Sequence, residues 1–377
     1  MSTAKAGNDT DPYQTQRYYG TSEFASSGSV DPILYNATLK PETSNSQEAG
    51  LDIRFLQNRL GLDFTYYSSV TKNQIVQVPM NWSTGYSAAF LNSGAVRNRG
   101  VEIIINSTNI KNKNFAWTTT VNWAKNKNKV LSLAEDLGGE DNQIIGTGGN
   151  ATLIAKVGGS TGDIYGFGFV RSPEGDIIYD KTNGLPVRPT DIQYIGSAFA
   201  DWKGGIQNEF SYKNIRFSFL LDASYGGIIY SQTHHKMTEQ GKLKHTLRGR
   251  EENYIIGEGV VDDGTGHYIP NTKQVLPVTY FTEFYRRANV ESNSFDASYL
   301  KLRETRVEYT LPKKLLGKSF IKNLSVALYG RDLLMFTDFP VFDPETAALN
   351  GTTLLPGVEI GQLPSTRTMG MNITLKF

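Results

Sequence analysis

The chain of 377 residues is long enough for one large domain or two to three ordinary ones, so its length decides little. Hydrophobic residues make up 39%, and 37 glycines with 20 tyrosines indicate many short strands joined by turns. Lys and Arg total 38 against 37 Asp and Glu, which excludes the positive field of a nucleic-acid-binding protein. The absence of cysteine excludes a disulfide scaffold, a thiol nucleophile and cysteine-ligated metal.

Neither a membrane-spanning helix nor a secretion signal is visible in the sequence. No apolar run approaches the roughly 18 residues that such a helix needs. The segment from Met1 to Asp9 lacks the apolar core of a signal peptide. Membrane strands are compatible with this pattern, because alternating strands never produce a long apolar run.

Alternation of apolar and polar residues recurs along the chain and predicts strands. The last such segment is the clearest, because its apolar residues share one face: Met369, Met371, Ile373, Leu375 and Phe377. A soluble sheet with one buried face gives the same alternation. In chain order the predicted strands cover residues 46–55, 60–72, 97–108, 114–125, 202–212, 215–225, 297–311, 321–331 and 368–377.

The fourth predicted strand carries aromatic residues at both ends of its apolar face. Phe115 and Trp123 are roughly 26 Å apart along the strand, or about 20 Å in height after a tilt of some 40°. This is near the height of a lipid-facing band between two aromatic girdles. Aromatic residues packed in a soluble core explain the pattern equally well.

The connections between the strands alternate between short and long. The short ones are 57–59, 109–114, 213–214 and 312–320, and the long ones are 73–96, 126–201, 226–296 and 332–367. A transmembrane barrel predicts this alternation because its periplasmic turns are short and its extracellular loops long. A soluble sandwich has no reason to place every long loop at one end. The sequence therefore predicts an all-β, antiparallel transmembrane β-barrel.

The parity of the strands adds an expectation about the domains. With the C-terminus at the periplasmic end, the first strand, near residue 46, runs inward, and the predicted strand count is odd. Single-chain bacterial barrels close with an even number of strands. We therefore expect residues 1–45 to be an extracellular loop region leading into a barrel of residues 46–377, with an N-terminal portion absent.

Short sequence motifs from residue 38 onward resemble those of a known family. They are Leu39-Lys-Pro-Glu-Thr-Ser, Glu48-Ala-Gly-Leu-Asp, Gly162-Asp-Ile-Tyr-Gly, Asp201-Trp-Lys-Gly-Gly, Tyr212-Lys-Asn, Ser298-Tyr-Leu-Lys-Leu-Arg-Glu, Tyr309-Thr-Leu-Pro, Gly330-Arg-Asp-Leu-Leu, Phe342-Asp-Pro-Glu, Leu363-Pro-Ser-Thr-Arg-Thr and Phe377. In their order and spacing they resemble the SusC/RagA family of TonB-linked outer-membrane proteins, the nutrient importers typical of Bacteroidetes-type bacteria.

The resemblance implies the C-terminal part of a barrel that has about 22 strands in this family. The family's TonB-contacting segment, plug domain and first strands have no counterpart here. The implied function is import of an oligosaccharide, glycan or peptide through the outer membrane, powered by the TonB complex, with a SusD-like surface lipoprotein as lid. The implied surroundings are outer-membrane lipid, and neither an enzyme activity, a cofactor nor a nucleic-acid partner is expected.

Substrate contacts are expected on the lumen face and in the extracellular loops, where polar and aromatic side chains converge. The candidates are Tyr165 and Phe167 in the second long loop and Phe339, Phe342, Asp343 and Glu345 in the last. Packing within the loops would also explain all of these residues. Phe377 looks like the C-terminal aromatic that the outer-membrane assembly machinery recognises, although it also fits an aromatic girdle.

Two metal sites are weighed against plainer interpretations. His234, His235, His245 and His267 all lie in the third long loop, but without ligand spacing on a helix or strand we expect solvated loop histidines. The acidic stretches Glu135-Asp136 and Glu140-Asp141 fit calcium less well than solvated loop charge. No metal site is therefore predicted.

Two alternatives from other classes stay open. A soluble, secreted β-rich carbohydrate-binding or adhesion module would also show alternating strands, many aromatics and a neutral charge. The membrane barrel and the soluble module differ in where the apolar face lies: it is on the outside of a barrel and is buried inside a soluble sandwich. A surface glycosidase comes third, because nothing in the sequence nominates a pair of carboxylates.

Overall fold

In the computed structural model, which describes residues 1–21, 27–133, 142–317, 320–350 and 353–377, one large antiparallel sheet dominates the fold. Its main strands follow one another in chain order from β1 to β10, and these two form its edges. They are β1 (Ser2–Asn8), β2 (Glu42–Phe55), β3 (Leu60–Pro79), β4 (Ala88–Lys111), β5 (Phe115–Ser132), β6 (Trp202–Tyr212), β7 (Ile215–Tyr225), β8 (Tyr299–Thr310), β9 (Asn323–Thr337) and β10 (Thr368–Lys376). The predicted all-β antiparallel fold is confirmed.

All nine predicted strands are present, but several extend beyond their predicted ends. The prediction of a long loop over 73–96 is wrong, because β3 continues to Pro79 and β4 begins at Ala88. A short 3-10 helix, Trp82–Thr84, lies in the hairpin between them. This part of the hairpin lies beyond the apolar band, so alternation is no longer required there and the sequence carries no clear strand signal.

β1 lies within the segment 1–45, which the sequence assigns to a loop region. Its backbone pairs with β2 from Ser2 opposite Glu48 to Asn8 opposite Glu42, and all of its side chains are exposed. Because no side chain of β1 is buried, its sequence shows no alternation that would reveal a strand. The main antiparallel path of the described sheet thus has ten strands, with one short parallel strand beside it, where the sequence predicts nine strands.

One face of the sheet is apolar and exposed. Residues from neighbouring strands stand in register across this apolar face: Phe210, Phe217, Val307, Leu328 and Met371. Leu328 and Met371 are each 61% exposed. A soluble sandwich would bury such a face, whereas a transmembrane sheet turns it to lipid. The arrangement disagrees with the soluble-module alternative and fits the predicted membrane barrel.

The oxygen of a polar side chain near the middle of the apolar face finds its hydrogen-bond partners within the sheet. The Asn208 carboxamide oxygen accepts hydrogen bonds from Trp117 Nε1 at 2.9 Å and from Thr119 Oγ1 at 2.7 Å. Lipid offers no hydrogen-bonding groups, so a polar group at this depth is costly unless the protein supplies its partners. Asn208 therefore adds a link between β5 and β6 without breaking the apolar band.

The opposite, polar face carries the charged residues. Ion pairs lie along it within and between strands: Arg54–Asp63, Arg216–Glu209, Arg306–Glu308 and Arg331–Glu304. In the first three pairs each charged residue has an outward apolar neighbour in its strand, as the period of two requires. The faces are thus sorted as in a barrel with an apolar exterior and a polar lumen.

The connections at one end of the sheet are tight. Between β2 and β3, Leu56, Gln57 and Asn58 adopt positive φ angles of 51°, 55° and 65°. Between β6 and β7 the turn has only Lys213 and Asn214, and Lys213 has φ 51°. The helix α3 (Lys313–Leu316) follows Pro312, where the ladder of β8 stops. The predicted short turns at this end are confirmed.

The long connections meet at the other end and form a cap, defined here as segments 142–201, 226–298, 338–350 and 353–367. It contains helices α1 (Gln232–Glu239) and α2 (Pro277–Phe284), and the 3-10 turns Lys244–Leu247 and Glu291–Asn293. Its short strands are Asn142–Gly148, Ala151–Lys156, Asp163–Gly166, Gln193–Ser197, Ile228–Ser231, Ile255–Ile256, Val260–Asp262, Tyr268–Pro270, Gln274–Val275, Ser294–Asp296, Ala348–Asn350, Thr353–Leu355 and Val358–Glu359.

Three further short strands, Tyr19–Thr21, Gly28–Val30 and Ile33–Leu34, lie between β1 and β2. Ile33–Leu34 adds in parallel to the start of β4. Among the helices of the described ranges, none has both the length and the hydrophobicity needed to cross a membrane.

The hydrophobic core of the molecule lies in the cap and not within the sheet. One cluster joins all three long connections through Leu153, Ile164, Tyr230, Val290 and Val358, each at most 1% exposed. A second cluster packs around α2 and includes Tyr179, Ile255, Val261, Val275, Tyr280 and Phe281. The cap is therefore a packed unit, and not a set of free loops.

The sorting of the two faces predicts opposite effects of the same charge at adjacent positions. Ile206→Arg places a cation on the apolar face and should destabilise the protein by about 2–4 kcal/mol, the cost of Arg near the bilayer midplane. Gln207→Arg, exposed on the polar face, should cost far less. Urea unfolding in lipid vesicles measures both, and equal losses would contradict the assignment of the faces.

Candidate functional site

A cavity of about 560 Å³ lies between the cap and the polar face of β5 to β8. The barrel strands contribute its hydrogen-bonding and charged side chains, and the cap contributes an aromatic ring and a carboxylate. Residues that line it include Asn126, Phe199, Lys203, Ser224, Tyr299 and Glu345. A concave site with a few convergent polar groups is the usual form of a ligand pocket, so this cavity is the candidate functional site.

The last connection is fixed to the wall of this cavity by a cluster that we call the latch: Tyr299, Lys301 and Arg303 of β8 with Asp343 and Glu345 of the cap. Lys301 Nζ donates to both oxygens of Asp343, at 2.6 and 2.7 Å, and also contacts Glu345. Glu345 accepts from the Tyr299 hydroxyl at 2.7 Å and from Arg303 at 2.5 Å. Lys301 and Asp343 are both buried, so neither charge is solvated by water.

A bulge in the sheet directs Arg303 toward the latch. The pairing of β8 with β9 shifts between Leu302 and Glu304, and Asp332 opposite has a φ of 51°. Arg303 sits at the irregular position, donates to Asp222 at 2.8 Å and contacts Asp332 at 3.3 Å. Bulges commonly re-aim a side chain in this way. The motif Gly330-Arg-Asp-Leu-Leu therefore contains the bulge that positions Arg303 in the latch.

Glu345 is ionised throughout the physiological range of pH. Burial alone would raise the pKa of its carboxyl group, but hydrogen bonds from Arg303, Lys301 and Tyr299 outweigh burial and lower the pKa to about 2. Its stabilising effect is therefore complete above the ordinary pKa of a glutamate. It is lost only as the pH falls toward 2. The latch does not open at mildly acidic pH.

A second carboxylate joins two parts of the cap. Glu359 is fully buried and accepts from the Ser231 hydroxyl at 2.5 Å and the Thr233 hydroxyl at 2.6 Å. The backbone N–H groups of Gly361 and Gln362 also donate to it. Next to it, Val358–Glu359 pairs in parallel with Tyr230–Ser231. The last connection is thereby attached to the third long loop as well as to the barrel wall.

The candidates in the second long loop face their own neighbours in the cap. Tyr165 is half-buried and contacts Tyr194 edge to face, with ring centroids 5.6 Å apart. The Phe167 carbonyl accepts from the N–H groups of Val290, at 2.8 Å, and Glu291. Neither residue is among those that line the cavity of the candidate site.

The structure separates the four candidates of the last connection. Glu345 lines the cavity, whereas Asp343 is 4% exposed and held by Lys301. Phe339 is 5% exposed and packs edge to face on Phe295, while Phe342 is half-buried. Asp343 and Glu345 are brought together at the latch. The described structure does not bring Tyr165 or Phe167 to the same wall.

Sequence reasoning missed the barrel-wall residues of the site. Tyr299, Lys301 and Arg303 alternate with Leu300 and Leu302 in a recognised word, so their common face could have been read from the sequence. Lys203 and Phe199 carried no such signal of a cavity, because their proximity depends on how the cap folds back over the sheet.

Two of the histidines expected to be solvated are buried, so that prediction is wrong for them. His234 and His235 are 2% and 4% exposed in α1, because the loop folds into a cap with its own core. His234 Nδ1 lies 2.9 Å from the Asn293 side-chain oxygen, and the His245 ring stacks on His234 at 5.2 Å. His267 is exposed as expected.

Within the described ranges no group of three His, Asp or Glu side chains is arranged to hold a metal ion. Glu135-Asp136 and Glu140-Asp141, weighed as calcium ligands, lie outside the described residues. Phe377 is 65% exposed, and its ring stacks on that of Phe320 at 5.5 Å. This places an aromatic pair at the short-turn end of the sheet, where a girdle or an assembly signal would lie.

The latch predicts that breaking its buried ion pair destabilises the docked loop more than breaking an exposed ion pair does. Lys301→Met leaves the buried Asp343 carboxylate without its cation and should destabilise the docked loop by about 3–5 kcal/mol. Arg331→Met breaks an exposed pair with Glu304 and should cost at most about 1 kcal/mol. Protease sensitivity of segment 338–367 measures both, and equal sensitivity would refute the latch.

The buried His234 predicts a pH dependence of the cap. Burial first, with the nearby His245 and His235, lowers the pKa of His234 to about 4 despite the hydrogen bond to Asn293. His234 binds a proton more readily when the cap is open than when it is closed. The stability of the cap is therefore complete above about pH 6.5 and falls as the pH drops toward 4, with opening rising by up to about tenfold per pH unit.

Hydrogen exchange of α1, corrected for intrinsic rates, measures this opening. His234→Gln should weaken the pH dependence, of which burial of His245 leaves a part because it also lowers the pKa of that ring, and His267→Gln, on an exposed histidine, should leave it unchanged. A cap whose exchange does not vary between pH 7 and pH 5 would contradict this role of His234.

Comparisons with known proteins agree with the fold and extend it. The family model described as "TonB dependent receptor-like, beta-barrel" matches residues 4–171. TonB-dependent receptor P3 of Formosa agariphila is 29% identical over 91% of this chain and 35% of its own length. TonB-dependent receptor SusC of Bacteroides thetaiotaomicron is 28% identical over 56% of this chain and 21% of its own length.

A solved structure, that of the RagAB peptide transporter, matches 100% of this chain and 40% of its own chain with a TM-score of 0.74 at 20% identity. This match shows the shared fold. The chain spans 35 to 39% of the length of the three curated relatives from Formosa agariphila. The chain is therefore similar to the TonB-dependent receptor-like β-barrel proteins of the bacterial outer membrane, SusC among them, and shares its fold with the RagAB structure.

Proposed function

We propose that this chain forms part of a TonB-dependent importer that carries an oligosaccharide or a peptide through the outer membrane. The observation that carries the proposal is the cavity between the polar barrel wall and the packed cap. It lies at the end of the sheet where the long connections meet, which is the extracellular end in a barrel of this kind. A substrate arriving from outside would meet this cavity before the lumen.

The lining of the cavity suits a neutral, polar, flexible ligand. Asn126 and Ser224 offer hydrogen bonds, Lys203 adds a cation, and Phe199 offers a ring for stacking. Sugars and peptides both present hydroxyl or amide groups beside apolar surfaces. The RagAB protein, whose structure shares this fold, is a peptide transporter, so a peptide is the first substrate to test.

Two partners belong to the proposal. The TonB complex would supply energy, and a SusD-like surface lipoprotein would cover the cap. Both are inferred from the similarity to SusC and RagAB. Transport, and not catalysis, is proposed for the cavity, since the carboxylate nearest to it, Glu345, is held in the latch.

The candidates from the sequence enter this proposal with different roles. Glu345 would shape the cavity wall from within the latch, and Phe342, which is not among the residues that line the cavity, would contact a substrate that extends beyond it. Tyr165 and Phe167 would act only where the substrate extends along the cap. Asp343 and Phe339 would support the last connection from inside. Phe377 is proposed as the signal for barrel assembly.

Uptake by cells tests the import function. Cells that express the gene together with a SusD-like lipoprotein should take up fluorescent peptides or oligosaccharides, and cells without the gene should not. Phe199→Ala should lower uptake at limiting substrate by about three- to tenfold, the loss expected for one aromatic contact. Gln207→Ala, on the polar face but outside the cavity lining, is the control. Uptake of neither class by a correctly inserted protein would refute the proposal.

A separate variant tests the contact proposed for the last connection. Phe342→Ala should weaken substrate binding while leaving the latch and the amount of inserted protein unchanged. Equilibrium binding of the imported substrate to purified protein measures this effect. Unchanged affinity would remove Phe342 from the site.

A further inference from the structure

Five cations stand together on the outward face of β4 and β5, just beyond the apolar band. In this basic patch, Arg97 lies directly opposite Lys129, and Arg99 lies opposite Lys127, while Lys125 opposes Val101. Like charges directly opposite each other destabilise a sheet. The repulsion calls for an anion that bridges the strands.

The residues that alternate with the cations along β4 and β5 form hydrogen bonds on the polar face, so the cations themselves point outward. Asn126 and Asn128 of β5 both donate to the Asn98 side-chain oxygen of β4, at 3.2 and 3.0 Å. The Tyr67 hydroxyl donates to Asn126 on the same side. This side is the polar face, where Asn126 lines the lumen cavity. Successive side chains of a strand alternate, so the intervening lysines lie on the outward face.

No described acidic side chain neutralises the patch. None of its five side chains takes part in an ion pair with the residues that the structure describes. Arg97 Nε is buried and lacks a hydrogen-bond partner among the described residues. The acidic residues of β2 to β4 alternate onto the polar face: Glu42, Glu48, Asp52, Asp63 and Glu102. The outward face of these strands therefore has a positive charge without a counter-charge from the sheet.

An apolar groove of about 210 Å³ lies on the outward face immediately below the patch. It exists because Gly204 and Ala223, which are paired across β6 and β7, leave a gap beside larger side chains. A Cβ built at Gly204 would lie 3.0 Å from the Asn122 carbonyl oxygen, 3.5 Å from the Trp123 ring and 3.7 Å from the Trp202 ring. The groove is bordered by Val121, Trp123, Trp202, Ile206, Leu221 and Leu300.

The patch and the groove are continuous at the level of the membrane interface. Lys125 follows Trp123 by two residues on the same face, roughly 7 Å along the strand. Trp202 stacks on Tyr225 at 5.7 Å and marks the aromatic girdle. The groove thus lies at the depth of acyl chains, and the cations lie at the depth of the head groups.

We propose that the outward face of β4 to β7 binds a phosphorylated glycolipid of the outer leaflet, of the lipopolysaccharide class. Its phosphate groups bind the basic patch, and one of its acyl chains fills the groove beside Gly204. The phosphates separate the opposed cations and offset their repulsion. This site is on the lipid side of the wall and is independent of the proposed import function.

Lipid binding to the purified full-length protein tests the site. Delipidated protein in mild detergent is mixed with bisphosphorylated lipid A, and the bound lipid is counted by native mass spectrometry. The triple variant Lys125→Gln, Lys127→Gln and Lys129→Gln should retain at least about tenfold less lipid A. The control Lys313→Gln, Lys314→Gln and Lys322→Gln makes the same change of charge at the short-turn end and should bind normally.

Further variants and competitors separate the lipid from simpler anions. Replacing the three lysines of the patch by arginine should preserve binding and shows that the strand still folds. Gly204→Leu should weaken binding of lipid A without affecting binding of inorganic phosphate. Displacement of lipid A by millimolar inorganic phosphate, together with no effect of Gly204→Leu, would overturn the proposal in favour of a plain anion site. Normal binding by the triple glutamine variant would also overturn it.

Discussion

The structure depends on one constraint: within the hydrocarbon layer, every backbone N–H and C=O group needs a partner inside the protein. Antiparallel pairing that continues from β2 to β10 meets this need, because each inner strand has a neighbour on both sides. Side-chain polarity follows the same rule. Asn208 is tolerated on the apolar face because Trp117 and Thr119 donate hydrogen bonds to its side-chain oxygen.

The same constraint decides where charge and function are found. Charges excluded from the apolar face collect on the polar face, and there Lys301 and Arg303 bind the carboxylates of the last connection. The latch and the buried Glu359 hold the cap over the barrel wall, and the cavity lies between them. Beyond the apolar band the rule is relaxed, so the lysines of β5 can face outward.

The sequence predicts those parts of the fold that the membrane constrains. Strands such as β6 and β7 were placed to the residue, because their apolar alternation spans their whole length. β1 and the far ends of β3 and β4 were missed, because their pairing relies on the backbone alone. Asp343 and Glu345 were named from the sequence as candidate substrate contacts, but their pairing with Lys301 was not predicted, since the contact of Lys301 with Asp343 joins residues 42 positions apart.

Labelling of single cysteines along β6 tests the central claim most directly, because the chain has no native cysteine to interfere. Variants from Lys203→Cys to Ser211→Cys are treated with a water-soluble maleimide in lipid vesicles. A sheet with a polar lumen face and an apolar outer face predicts labelling with a period of two, strong at Lys203, Gln207 and Glu209 and weak at Ile206 and Phe210. Uniform labelling, or the opposite phase, would contradict a sheet with an apolar exterior and a polar lumen.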